Sequence, residues 1–117
     1  MEAQEIIDDA AFNALVELGG KELVSQMVDL FMGYVPRVIK ESRDGMTAGN
    51  IEPVMRMGHS LHSSGRNLGV IRMKELGFRI EMASREKRVA ELPFLVNEME
   101  RVFEQAKPCL EEKKARL

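Results

Sequence analysis

The chain has 117 residues, with 17 Lys and Arg against 19 Asp and Glu, a net charge of −2 when both histidines are neutral. At 44% hydrophobic and 31% charged residues, it is too apolar for a disordered chain and too often interrupted by charge for a membrane protein. This near-neutral balance, with five Phe, one Tyr and no Trp, lacks the basic stripe or stacking aromatics of a nucleic-acid surface.

One domain over 1–117 is expected at this length. The start Met1-Glu2-Ala3-Gln4-Glu5 has no basic or apolar signal character, and no run approaches the roughly 18 apolar residues of a membrane span, so a cytoplasmic location is expected. Cys109 is a single cysteine, which excludes an internal disulfide, and with His59 and His62 it leaves too few soft ligands for a structural zinc site.

Turn signals fall at Gly19-Gly20, across Asp44 to Asn50, at Asn67-Leu68-Gly69 and before Pro93, and the segments between them carry helical rather than alternating periodicity. A short first helix starts after Asp8 or Asp9, carries Phe12, Leu15, Val16 and Leu18, and stops at the glycine pair. The second runs from about Lys21 to Arg43, with Leu23, Met27, Leu30, Phe31, Tyr34, Val38 and Ile39 as one apolar stripe. Pro36 predicts a kink near Met32 or Gly33.

The third helix is capped by Asn50, tolerates Pro53 in its first turn and ends at Gly69. The fourth, from about Val70 to Lys87, buries Met73, Leu76, Gly77, Ile80 and Ala83 or Ser84; the fifth, from near Pro93, buries Leu95, Met99, Val102, Phe103, Ala106 and Leu110. Cys109, beside Pro108, is expected in a fraying last turn without catalytic company. The fold class is all-α: an antiparallel four-helix bundle with a short additional N-terminal helix. A monomer is expected, because a four-helix core consumes one apolar stripe per helix.

The third helix holds the chemistry. On a wheel of about 100° per residue, Val54, Met57, Leu61 and Leu68 cluster within roughly 60°, flanked by the small Gly58, Ser64 and Gly65. His59 lies about 160° from Leu61, with Arg56, His62, Ser63 and Arg66 within roughly 60° of it, so it is displayed to water among cations rather than buried.

These residues resemble the histidine-containing phosphotransfer (HPt) domains of multistep phosphorelays, whose helix pattern is His, any residue, Leu, Lys, Gly, a small residue, then Leu-Gly nine and ten positions after the histidine. His59, Leu61, Ser64, Leu68 and Gly69 fit as they stand, as do the small Gly65 and Asn67. Pro36 in the second helix, the loop to Asn50, and Leu76-Gly77 followed by Ile80-Glu81 extend the resemblance along the chain. Two positions depart from the pattern: His62 stands for the usual lysine and Ser63 for the usual glycine. An imidazole carries less charge than an ammonium at neutral pH, and Arg66 and Arg56 could supply phosphate support instead, with the Ser63 hydroxyl as a donor.

The resemblance implies a phosphoryl carrier and not an enzyme with its own ATP site. His59 would take the group from the aspartyl phosphate of a receiver domain and pass it to a second receiver's aspartate. The partners implied are receiver domains of response regulators and of hybrid sensor histidine kinases, with no cofactor on this chain and Mg²⁺ on the receiver. Docking is expected around His59, using Met55 and the exposed side of the second helix.

Two other readings compete. A metal-binding bundle would want Glu-x-x-His pairs, but Arg56 and His59 occupy the positions three before His59 and His62. An HPt-like adaptor that binds a kinase or receiver without being phosphorylated differs from the carrier only in the use of His59. On the fourth helix, Arg72, Lys74, Arg79, Arg85, Lys87 and Arg88 alternate with Glu75, Glu81 and Glu86, the pattern of a solvated face.

Overall fold

The computed structural model describes residues 6–117. The elements are α1 (Asp9–Gly19), α2 (Lys21–Thr47), α3 (Glu52–Leu68), α4 (Ile71–Arg85), a 3₁₀ turn (Val89–Glu91) and α5 (Leu92–Ala115). Each of the four long helices packs against its neighbours in the order α2, α3, α4, α5 and back to α2, and α1 lies across α2 and α3. This is the antiparallel bundle with a short N-terminal helix that the periodicity implies.

The boundaries follow local chemistry. Asp8 caps α1 by accepting from the Ala11 N–H at 3.2 Å, and Gly20, at φ +91°, turns the chain directly into α2. The Asn50 side chain accepts from the Glu52 N–H at 3.1 Å, tying down the start of α3. Gly69 ends α3 in the left-handed conformation, φ +79°, with its N–H returning to the carbonyls of Arg66 and Gly65. The N-terminal segment then seals this corner: the Asp8 N–H donates to the Gly69 carbonyl at 2.7 Å, and a β-carbon on Gly69 would meet the Asp8 carbonyl oxygen at 2.9 Å.

Both internal prolines sit inside continuous helices, Pro36 in α2 and Pro108 in α5. Each forfeits one backbone hydrogen bond, but buried neighbours, Val35 and Val38 in one case, Ala106 and Leu110 in the other, hold the helix to the core on both sides. Pro108 therefore does not begin a frayed end. The last helix continues to Ala115, and the Cys109 thiol lies against the Gln105 carbonyl at 3.7 Å.

The core of α3, α4 and α5 matches the expected residues, and Phe31 of α2 meets Phe103 of α5 edge to face with ring centroids 6.1 Å apart. Two residues of the apolar stripe expected on α2 lie outside the core, Leu30 at 72% exposed and Leu23 at 46%, and Leu18 of α1 is 87% exposed. In α2 the buried line is Val24, Val28, Phe31, Val35, Val38, Ile39, Ser42 and Gly45. Leu23 and Leu30 belong to a second apolar line, shared with the half-buried Met27 and Tyr34, that runs beside the first. Two adjacent lines with the same helical period merge on a wheel, and only the packing partners separate them.

Candidate functional site

The site is built on the seam between α3 and α4. A β-carbon on Gly58 would lie 2.7 Å from the Glu81 backbone nitrogen and 2.8 Å from the Gly77 carbonyl oxygen; one on Gly77 would lie 2.5 Å from the His62 nitrogen. A β-carbon on Gly65 would lie 2.8 Å from the Lys74 backbone nitrogen. Three glycines thus let the two backbones touch, and this approach brings Glu81, one turn beyond Gly77, beside His59, one residue beyond Gly58.

His59 stands out from this seam, its side chain 72% exposed, while Glu81 is almost enclosed at 10%. The His59 Nδ1 lies 3.1 Å from Glu81 Oε2. The same oxygen accepts from Arg85 Nε at 3.2 Å and Nη2 at 2.7 Å. The Arg85 guanidinium holds the Glu81 carboxyl below its ordinary value, against the opposing effect of burial, and the His59 contact adds to the lowering. An ionised carboxylate can only accept, so Nδ1 of His59 carries the proton it donates, and the lone pair is left on Nε2, at the solvent side of the ring. The arrangement suits a nucleophile: an imidazole nitrogen left free on an exposed ring, with its other nitrogen anchored to a buried anion.

His62, one turn along, is held differently. Its Nδ1 donates to the Lys74 backbone carbonyl at 3.2 Å, and its ring lies 5.6 Å from that of Phe78 at 46°. The residue is half-buried against α4 and does not share the carboxylate that orients His59. Of the two arginines on the same helix, Arg56 is paired with Glu52 at 3.1 Å. Arg66 is exposed and has no ion-pair partner among the described residues. Ser63 is half-buried.

On the opposite flank of α3, Ser60, Ser64, Asn67 and Leu68 form one wall of an open groove of about 600 Å³, whose other wall is the second apolar line of α2, with Met27, Leu30 and Tyr34. Its lining also includes Asp29, paired with Lys114 at 2.7 Å, and Arg37, paired with Glu41 at 3.4 Å. Met55 is not in this groove. It is half-buried in a more polar cleft between the start of α3 and the end of α4, with Asn50, Glu52, Ser84 and Arg85.

Glu81 is the functional residue that charge alternation misplaced. It reads as part of a solvated face, yet it is buried and bonded to His59. Its spacing four after Gly77 and one after Ile80 puts it on the buried edge of α4, a signal that the surrounding charges mask. Glu75 and Arg79 of α4 do behave as surface groups, and just beyond the helix the exposed Arg88 bridges Glu86 at 2.9 Å and Glu91 at 2.6 Å. Among the described residues no three His, Cys, Asp or Glu side chains are grouped so as to hold a metal ion, and no helix is long and apolar enough to cross a membrane.

The Hpt domain family matches residues 26–107, and the chain belongs to that family. It is a histidine phosphotransfer protein of phosphorelays; members of this family are phosphoryl carriers rather than kinases and interact with receiver domains and histidine kinases of two-component systems. The fold is similar to that of the histidine-containing phosphotransfer protein B (HptB) from Pseudomonas aeruginosa PAO1, with a TM-score of 0.89 and 18% identity over 98% of this chain and 99% of that one. No curated protein matches the chain.

Proposed function

We propose that His59 is the phosphoacceptor and that this chain carries the group between receiver-domain aspartates. The supporting observation is the exposed His59 ring with Nδ1 anchored on the buried Glu81 carboxylate. The Nε2 lone pair attacks the phosphorus of a receiver's aspartyl phosphate, the N–P bond forms, and the P–O bond breaks with its electron pair returning to the carboxylate. The Nδ1 proton stays on the ring, held towards Glu81, so the acceptor needs no separate base. Positioning is the protein's contribution, and the receiver brings Mg²⁺. In this reading Arg66, which is exposed, and the Ser63 hydroxyl support the phosphoryl oxygens, with Arg56 available once it leaves Glu52.

The groove between α2 and α3 is the docking surface of this reading. Leu30, 72% exposed, has the character of an apolar anchor waiting for a partner, and the groove's α3 wall begins at Ser60, adjacent to the acceptor. The chain works as a monomer in the cytoplasm, its second apolar line on α2 reserved for receivers rather than for another copy.

The test offers the purified chain phosphorylated receiver domains and follows acid-labile phosphate. Label on the wild type and on His62→Gln, but not on His59→Gln, is the expected result. Label lost only in His62→Gln would move the acceptor one turn along, and binding without label would make the protein an adaptor.

A further inference from the structure

His59 and Arg85 do not touch the two oxygens of Glu81 separately; they compete for one. Oε2 accepts from His59 Nδ1 at 3.1 Å and from two nitrogens of Arg85 at 2.7 and 3.2 Å. Arg85 therefore fixes the carboxylate that fixes the imidazole, and it also draws charge from the atom that faces Nδ1. The Arg85 side chain is 57% exposed, so it is not needed to fill space, and α4 places it one turn beyond Glu81 on the rim of the cleft that Met55 and Asn50 share.

This arrangement has a consequence for the phosphorylated state. Loss of phosphate to water breaks the N–P bond, whose electron pair goes to Nε2, and forms a P–O bond to the water oxygen. It is fastest when the ring carries a proton on Nδ1, because Nε2 then leaves as part of a neutral imidazole while both water protons pass to the phosphate. A fully available carboxylate at Nδ1 favours that protonated ring; a carboxylate already holding a guanidinium favours it less. Resting on the reading of His59 as the acceptor, we infer that Arg85 is a positioning residue that lengthens the life of the phosphohistidine by occupying Glu81 Oε2. The bridge separates two requirements: Glu81 orients the nucleophile, and Arg85 restrains Glu81 from expelling the group once it has arrived.

The experiment needs no partner. In a His62→Gln background, where His59 is the remaining histidine of the two in the chain, the protein is phosphorylated with potassium phosphoramidate and the loss of acid-labile phosphate is timed across neutral pH. Arg85→Met, which keeps the length and removes the donors, is expected to lose phosphate about threefold faster or more near neutral pH, with its pH profile displaced towards alkaline values. Arg85→Lys recovers part of the lifetime. In Glu81→Gln the Arg85→Met substitution changes nothing, because the arginine acts through the carboxylate. Thermal melting of each variant verifies the fold. An unchanged lifetime in Arg85→Met, or an equal change in the Glu81→Gln background, overturns the inference while leaving the acceptor intact. Failure of the chain with His59 alone to take label at all would remove the acceptor reading, and the inference with it.

Discussion

The two flanks of α3 are built on opposite rules. Towards α4 the helix carries Gly58 and Gly65, its partner carries Gly77, and the backbones meet so closely that no β-carbon fits. Towards α2 it presents Ser60, Ser64 and Asn67 to an open apolar groove where Leu30 is left largely in water. The tight flank gives precision: it fixes Glu81 within hydrogen-bond reach of Nδ1 and so determines which nitrogen of His59 is free. The loose flank gives a surface, because apolar side chains not consumed by the core remain available to a partner. The proposed carrier role uses both, His59 as a rigid nucleophile and the unfilled face beside it. His59 and His62 repeat the lesson on the scale of one turn: the first is anchored to a buried carboxylate and exposed, the second donates to a carbonyl and rests on Phe78.

The largest effect is expected from breaking the tight flank. Gly77→Ala places a β-carbon 2.5 Å from the His62 nitrogen and 2.7 Å from the Gly58 carbonyl oxygen, both backbone atoms that cannot turn away. A loss of about 3 kcal/mol is expected in urea unfolding, with weakened His59 labelling because the seam that sets Glu81 opens. On the loose flank, Leu30→Asp is expected to leave the melting temperature almost unchanged, yet weaken receiver binding at least about tenfold, some 1.4 kcal/mol, read by titration calorimetry. Full binding by this variant would remove the groove from the docking surface.

Glu81→Gln should cost about 1 kcal/mol near neutral pH, and its pH dependence identifies the cause. The folded carboxyl lies below its ordinary value of 4.5, held there chiefly by Arg85. Its contribution is therefore complete above that ordinary value and is lost as pH falls through the lower, folded one. Wild type and variant should converge in stability at the acid end of that window. A gap that persists there would assign the cost to packing rather than charge. The smallest effect is a gain: Gly33→Ala, on the groove side of α2 with nothing within 4 Å of the new β-carbon, should stabilise the helix by about 0.5 to 1 kcal/mol, the opposite sign to the same substitution at Gly77.

Much of this is legible in the amino-acid sequence. The all-helical class, the termination of α3 at Gly69 and the outward position of His59 follow from apolar spacing and turn residues, and the buried apolar residues of α3 and α4 match those read from their periodicity. The surface line of α2 was not legible, since Leu23 and Leu30 continue the same helical period as Phe31 and Val38 and are exposed because no helix among the described residues covers them. Neither was Glu81: a carboxylate among arginines and lysines has the composition of a solvated face. Pro108 misled in the other direction, because a local rule that ends helices is overridden when the next turn, at Leu110, is held in the core.

The amino-acid order by itself determined the helices, the family pattern around His59 and the side of α3 on which that histidine stands, because these depend on spacing along one chain. Only the tertiary structure decided what orients it. The Nδ1 anchor comes from a residue twenty-two positions away, brought near by glycines that matter for what they lack, and a contact made across a seam depends on the distance between two backbones, which no single helix encodes.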